Sequence, residues 1–217
     1  MFVQLFQSSP LAAVAIILGF VVGITIHEAA HAYSALKLGD DTAYREGRVT
    51  LNPLSHLDLL GSMMLVFAGF GWGRPTPVRL DKLRGGVLGP VAVAFAGPAS
   101  NILIVAICSV LLAVAAIVPA LQSQTYFLFV AAVAYINALL FVFNLIPIPP
   151  LDGSKIVFAF LPRSLDPFVN AMNQYGPFIL LGLVIVSIWL GLPFLSILLT
   201  PVVPILELFG IPPLFGG

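Results

Sequence analysis

Apolar residues gather in four long blocks, at about 10–37, 87–118, 126–148 and 176–200. Each reaches the ~20 residues that a helix needs to cross the hydrocarbon core of a membrane. A fifth block, Leu57 to Phe70, is only 14 residues long and contains Gly61 and Gly69. That length suits a re-entrant segment, about 57–72, better than a crossing. Between the blocks, Ala43–Leu51 and Thr76–Leu80 are β-branched and partly alternating, which predicts small strands at the membrane edge. The tail, 201–217, carries four prolines and cannot be one regular helix. No fixed-period repeat, low-complexity segment or linker divides the chain, so residues 1–217 read as one domain. The fold class expected is therefore all-α and polytopic, with about four transmembrane helices, a re-entrant segment and a small β element.

Charge sets the orientation. All nine basic residues lie at 37–48, 74–84 and 155–163, and the loop Pro119–Thr125 has none. If 57–70 does not cross, the division is nine against zero. The positive-inside rule then puts the loops 38–86 and 149–170 in the cytoplasm. Composition agrees with a membrane protein: 60% of residues are hydrophobic and 8% charged, and the mean hydropathy is +1.10. The long first block ends in ionisable residues rather than a cleavage site, unlike a signal peptide. Cys108 is the single cysteine, which leaves no intrachain disulfide and no thiolate metal cluster. Net charge is zero, and no nucleic-acid partner is expected.

The candidate chemistry lies in the first block. Residues 27–31 read His-Glu-Ala-Ala-His. Histidines at i and i+4 share one helix face and can hold one zinc ion, with the intervening glutamate placed as a general base. Ionisable residues inside a span are expensive and are kept mainly where they act. A hydrolytic zinc normally takes a third protein ligand. His56, Asp58, Asp152 and Glu207 are the candidates, and Asp152 is favoured by topology. It follows the third block through Asn144-Leu-Ile-Pro-Ile-Pro-Pro-Leu-Asp-Gly153, whose prolines break helical bonding on the side where the first block ends.

HEAAH in a first span, Gly97-Pro-Ala-Ser-Asn101 in the next and NLIPIPPLDG after the third together resemble the site-2 protease family of intramembrane zinc metalloproteases. The stretches Asn52–Asp58 and Phe70–Val78 resemble its short branch, which lacks a PDZ-like domain. The resemblance covers roughly residues 15–160. It implies one Zn²⁺ per chain on His27, His31 and Asp152, with Glu28 as the catalytic base. It further implies substrate or second-sphere roles for Asn101 and Asn144, whose alternative is an interhelical hydrogen bond. His56 is either a supporting hydrogen-bond partner of the zinc site or part of the cap of the 57–70 element, with Ser55 as the cap residue. Gly69 and Gly71 belong to a Gly-x-Gly hairpin expected to hold substrate in extended form. The implied activity is cleavage of single-span membrane proteins within or beside their spans in the bilayer, with the active site near the cytoplasmic side of a prokaryotic cytoplasmic membrane. The competing class is a divalent-metal transporter, disfavoured by the absence of repeated halves and by a glutamate that transport does not need.

Overall fold

Three of the four long blocks become helices within a few residues of their expected bounds. The computed structural model describes residues 7, 9–68 and 71–212. Its α-helices, numbered along the chain, are α1 Pro10–Lys37, α2 Thr42–Arg45, α3 Leu59–Ala68, α4 Leu88–Ile117, α5 Gln124–Asn144, α6 Asp152–Phe158, α7 Asp166–Trp189, α8 Phe194–Leu198 and α9 Val202–Leu208. Four of them, α1, α4, α5 and α7, are long and apolar enough to cross a membrane.

Local chemistry sets the ends. Pro10 opens α1, where its missing N–H is no loss, and Lys37 lies in the last turn, where a cation suits the carbonyl end. Ser123 caps α5 by accepting from the Tyr126 N–H at 3.1 Å, which starts the helix two residues ahead of its apolar block. Pro147, Pro149 and Pro150 stop it at Asn144 rather than 148. The fourth span departs most. It starts at Asp166-Pro167, ten residues before the expected 176, because an acidic residue and a proline in the first turn favour a helix start whatever follows. It ends before Gly191 (φ +64°) and Pro193.

α1, α4 and α5 form the core. Small residues line their contacts: Ala13, Ala15, Ala32 and Ala35 on α1 and Ala132, Ala134 and Ala138 on α5 have no exposed surface. Without water to drive apolar association in a bilayer, such residues let backbones approach closely enough for dispersion to hold them. The proline-rich tail folds back here. Val202, Leu206 and Ile211 pack on Ile104, Val105, Cys108 and Val142, and Ser109 Oγ donates to the Phe209 carbonyl at 2.5 Å.

The short fifth block forms one helix, too short to cross the hydrocarbon core. Asp58 accepts from the Gly61 N–H at 2.8 Å and so caps α3; Ser55, the expected cap, lies in the preceding 3₁₀ turn. The ten residues of α3 span about 15 Å, half of the ~30 Å core. An antiparallel bridge joins Leu57 to Gly73, so the chain returns to the level at which it entered. Leu65 meets Phe20, Ile24 and Leu140. At the end of α1 the Arg84 N–H donates to the Leu38 carbonyl at 2.8 Å.

The expected strands are not formed: among the described residues that bridge is the only β pairing. At Ala43–Leu51, Asp40 Oδ1 accepts from the Thr42 N–H at 3.0 Å and from its hydroxyl at 2.5 Å, and this nucleates the α2 turn. Thr76–Leu80 begins extended, but Pro75 and Pro77 offer no donors, and the Thr76 and Arg79 N–H groups go to carboxylates on or beside α1 instead of a ladder.

Candidate metal centre

His27 and His31 stand one turn apart on α1, both buried, with ring centroids 4.6 Å apart at 82°. Each uses Nδ1 to hold its ring. His31 Nδ1 lies 2.7 Å from the Val93 carbonyl, an acceptor only, so that nitrogen carries the hydrogen. His27 Nδ1 lies 2.6 Å from Asn101 Oδ1. The amide orientation there follows from a chain of bonds that begins at a backbone carbonyl. Asn137 Nδ2 donates to Val133 O at 2.8 Å, Asn137 Oδ1 accepts from Asn101 Nδ2 at 2.8 Å, and Asn101 Oδ1 therefore faces His27 as acceptor. Both imidazoles thus carry hydrogen on Nδ1 and turn the lone pair of Nε2 inward.

Asp152 completes the cluster. The prolines at 147–150 unwind the chain after α5, and the turn delivers Asp152 to the start of α6. Its Oδ2 is 3.1 Å from each Nε2, and the two Nε2 atoms are 3.0 Å apart. Its other oxygen accepts from Lys155 Nζ at 2.9 Å. Burial opposes the charged form of this carboxyl, and the Lys155 ammonium beside it favours that form.

Three acceptor atoms so close repel one another unless a cation sits among them. Two nitrogens and one oxygen suit zinc, whose ~2.0–2.1 Å bonds in a tetrahedron set ligand atoms ~3.3 Å apart, near the edges seen here. Gly97 supplies the space. A Cβ on it would stand 2.4 Å from His31 Nε2 and 2.5 Å from His27 Nε2, against the metal-facing atoms. The Gly97-Pro98-x-x-Asn101 spacing now has a physical reading. Gly97 and Asn101 share a face of α4 one turn apart, and Pro98 withholds the N–H that the Ala94 carbonyl would otherwise accept.

Glu28 lies outside the cluster and is buried. Its Oε2 accepts from the Thr76 N–H at 2.8 Å, and its backbone carbonyl accepts from Thr76 Oγ1 at 3.0 Å.

The other expected site residues divide. Asn101 is in the centre, as a support of His27. Asn144 is not: its Nδ2 donates to the Leu140 carbonyl of its own helix at 2.9 Å. His56, fully buried, is not among the converging ligands; it braces a loop by donating from Nε2 to the Thr50 carbonyl at 2.8 Å. Gly71 lets chain pass against chain within the protein, since a Cβ there would stand 2.6 Å from the Gly61 carbonyl. Gly69 lies outside the described residues. Sequence reasoning missed Asn137, although an amide in an apolar span was signal enough, and Thr76, Lys155 and the Val93 carbonyl. A backbone carbonyl leaves no mark in a sequence.

Residues 113–184 match peptidase family M50. YwhC of Bacillus subtilis (strain 168), whose name describes it provisionally as a zinc metalloprotease, is 39% identical over 165 residues, 74% of this chain and 75% of that protein. Rip2 of Mycolicibacterium smegmatis, named in the same way, is 30% identical over 166 residues, 73% of this chain and 59% of its own length. Rip2 of Mycobacterium tuberculosis (strain H37Rv) is 33% identical over 144 residues, 64% of this chain and 54% of that protein. No solved structure matches the chain.

Proposed function

We propose, on the premise that the chain belongs to peptidase family M50, the site-2 protease family, and is an integral membrane zinc metalloprotease, that it cleaves other membrane proteins within or beside their spans. The observation that carries this reading is the position of His27, Glu28 and His31 on a helix long enough to span, with the third ligand, Asp152, on a turn between spans. A site there is reached by substrates that share the bilayer, and single-span proteins are the simplest of these. The even clustering of basic residues at one end supports a site near the cytoplasmic face of a prokaryotic cytoplasmic membrane.

His27, His31 and Asp152 would hold the metal, each oriented by a second bond, to Asn101, Val93 O and Lys155. Bound there, zinc supplies a Lewis acid that polarises a scissile carbonyl and acidifies water. Glu28 has one oxygen engaged by Thr76. Its other oxygen, Oε1, accepts the proton of the attacking water and passes it to the leaving amine as the C–N bond breaks.

The test compares the purified protein with Glu28→Gln on reconstituted single-span peptides and on soluble peptides, with products identified by mass spectrometry. Expected are cuts in or beside the span, a turnover at least ~100-fold lower in Glu28→Gln, and equal zinc in both proteins. Near-normal turnover by Glu28→Gln would sink the assignment of the base, and preference for soluble peptides would sink the intramembrane reading.

A further inference from the structure

Resting on the reading of Glu28 as base, we propose that Thr76 is its positioning residue, and that Pro75-Thr76-Pro77 is a register lock for this one contact. The strap from Gly71 to Arg79 runs along α1 and is fastened independently of Glu28. The Arg74 N–H donates to the His56 carbonyl at 2.7 Å, and the buried Arg48 donates from Nη2 to the Arg74 carbonyl at 2.5 Å. Beyond the prolines, the Arg79 N–H donates to Asp40 Oδ2 at 2.6 Å. Thr76 is thus a fixed point, and the glutamate, with its flexible stem, is the group that is held.

Two prolines make that point unambiguous. Neither has an N–H, so from 75 to 77 Thr76 offers the single backbone donor. A slip of one residue in either direction would set a proline nitrogen against the Glu28 carboxylate. The same prolines bias the segment toward an extended path before any contact forms, because each restricts its own φ and the residue ahead of it. The Thr76 hydroxyl adds a second grip on the same residue at the Glu28 carbonyl. The outcome is a carboxylate with one oxygen held at a fixed point on the strap.

Three variants of the full chain in detergent test this, with zinc content, thermal midpoint, kcat and KM measured for each. Thr76→Pro deletes the N–H and preserves an extended path. It should lower kcat by roughly 10- to 100-fold, the worth of a hydrogen bond to a charged group, at unchanged zinc and KM. Thr76→Val removes the hydroxyl with little change in shape and should lower kcat less, while Thr76→Ser restores what Thr76→Val loses. A readout independent of turnover is the double-mutant cycle with Glu28→Ala: the drop in thermal midpoint caused by Thr76→Pro should shrink when its partner is already gone. Wild-type kcat in Thr76→Pro, kcat losses that merely track zinc, or additive midpoints would each overturn the proposal. If Thr76→Pro does not fold, equal kcat for Thr76→Val and Thr76→Ser overturns it. Activity in Glu28→Gln would instead remove the underlying reading, so the two failures are separable.

Discussion

α1 and α7 are both long enough to cross a membrane, but they treat polar residues in opposite ways. In α1, Thr25, His27, Glu28 and His31 are all buried, and 44% of its most apolar window is covered by the rest of the protein. In the span Arg163–Ser187, which holds most of α7, the share is 17%, and Asn170, Asn173 and Gln174 are exposed. The difference is partnership. Asn101, Asn137, Val93 and Asp152 come to α1 from α4, α5 and α6, so the rings of His27 and His31 have somewhere to point. α7 leans on the loop before Asp152, where Leu180 meets Ile146 and Leu151. Hydrophobicity alone makes a span; polar bonds and small residues decide which spans form a site.

Five substitutions can break or sharpen that comparison. Gly97→Ala should have the largest effect. Its methyl would occupy the space between the histidines, so elemental analysis should find zinc largely lost and turnover should fall at least ~100-fold. Asn101→Ala comes next. It strips His27 of its Nδ1 partner and should weaken zinc binding by roughly 10- to 100-fold in chelator competition. Asn144→Ala, which removes the same chemical group from a helix end where it bonds only its own backbone, should leave zinc affinity unchanged. Equal losses in the two would mean that amides act generally on helix packing.

Asp40, at the polar end of α1, gives a test by pH. Burial would raise its carboxyl, but the bonds from Thr42 and the Arg79 N–H, with Lys82 nearby, outweigh burial and hold it below its ordinary value. A carboxyl lowered by folding stabilises above its unfolded pKa of about 4, and that contribution fades as pH falls through this value toward the folded one. The thermal midpoint should therefore be flat near neutrality and drop below about pH 4. Asp40→Asn should be less stable by about 1–3 kcal/mol at pH 7, with the gap to wild type narrowing in acid. A gap that stays constant with pH would show that only shape matters there. Leu181→Ala, on the exposed face of α7, should change stability by less than about 0.5 kcal/mol. A large loss would mean that this face is packed against something in the membrane.

The centre was legible to the extent that its residues are close in sequence or chemically conspicuous. His27, Glu28 and His31 announce themselves by spacing. Asp152 was reachable because three prolines marked where a span must unwind. The all-helical class and three spans followed from apolar length. α7 was placed late because its first half carries Asn170, Asn173 and Gln174, which hide a helix from a hydropathy reading. The two strands failed for a different reason. Alternation is a statement about side-chain faces, whereas a ladder needs donors free to pair, and the prolines and Asp40 had diverted them. Gly71 was read as room for a substrate; what the structure shows is that its missing side chain also makes room for the Gly61 carbonyl. The contact between Thr76 and Glu28 joins residues 48 apart along the chain, with no local pattern to reveal it.

The bridge from Leu57 to Gly73 has a mechanical consequence for the surrounding lipid. A helix that enters and leaves on one side adds its cross-section to a single leaflet, and the outward Leu59, Leu60 and Phe67 require acyl chains to pack around it there. If α3 enters one leaflet alone, the protein displaces more area from that monolayer than from the other, while the three core spans displace both equally. Bending the bilayer compresses one monolayer and stretches the other. The lateral pressure on α3 thus rises or falls with curvature, and α3 is held to the chain that continues through the strap to Thr76.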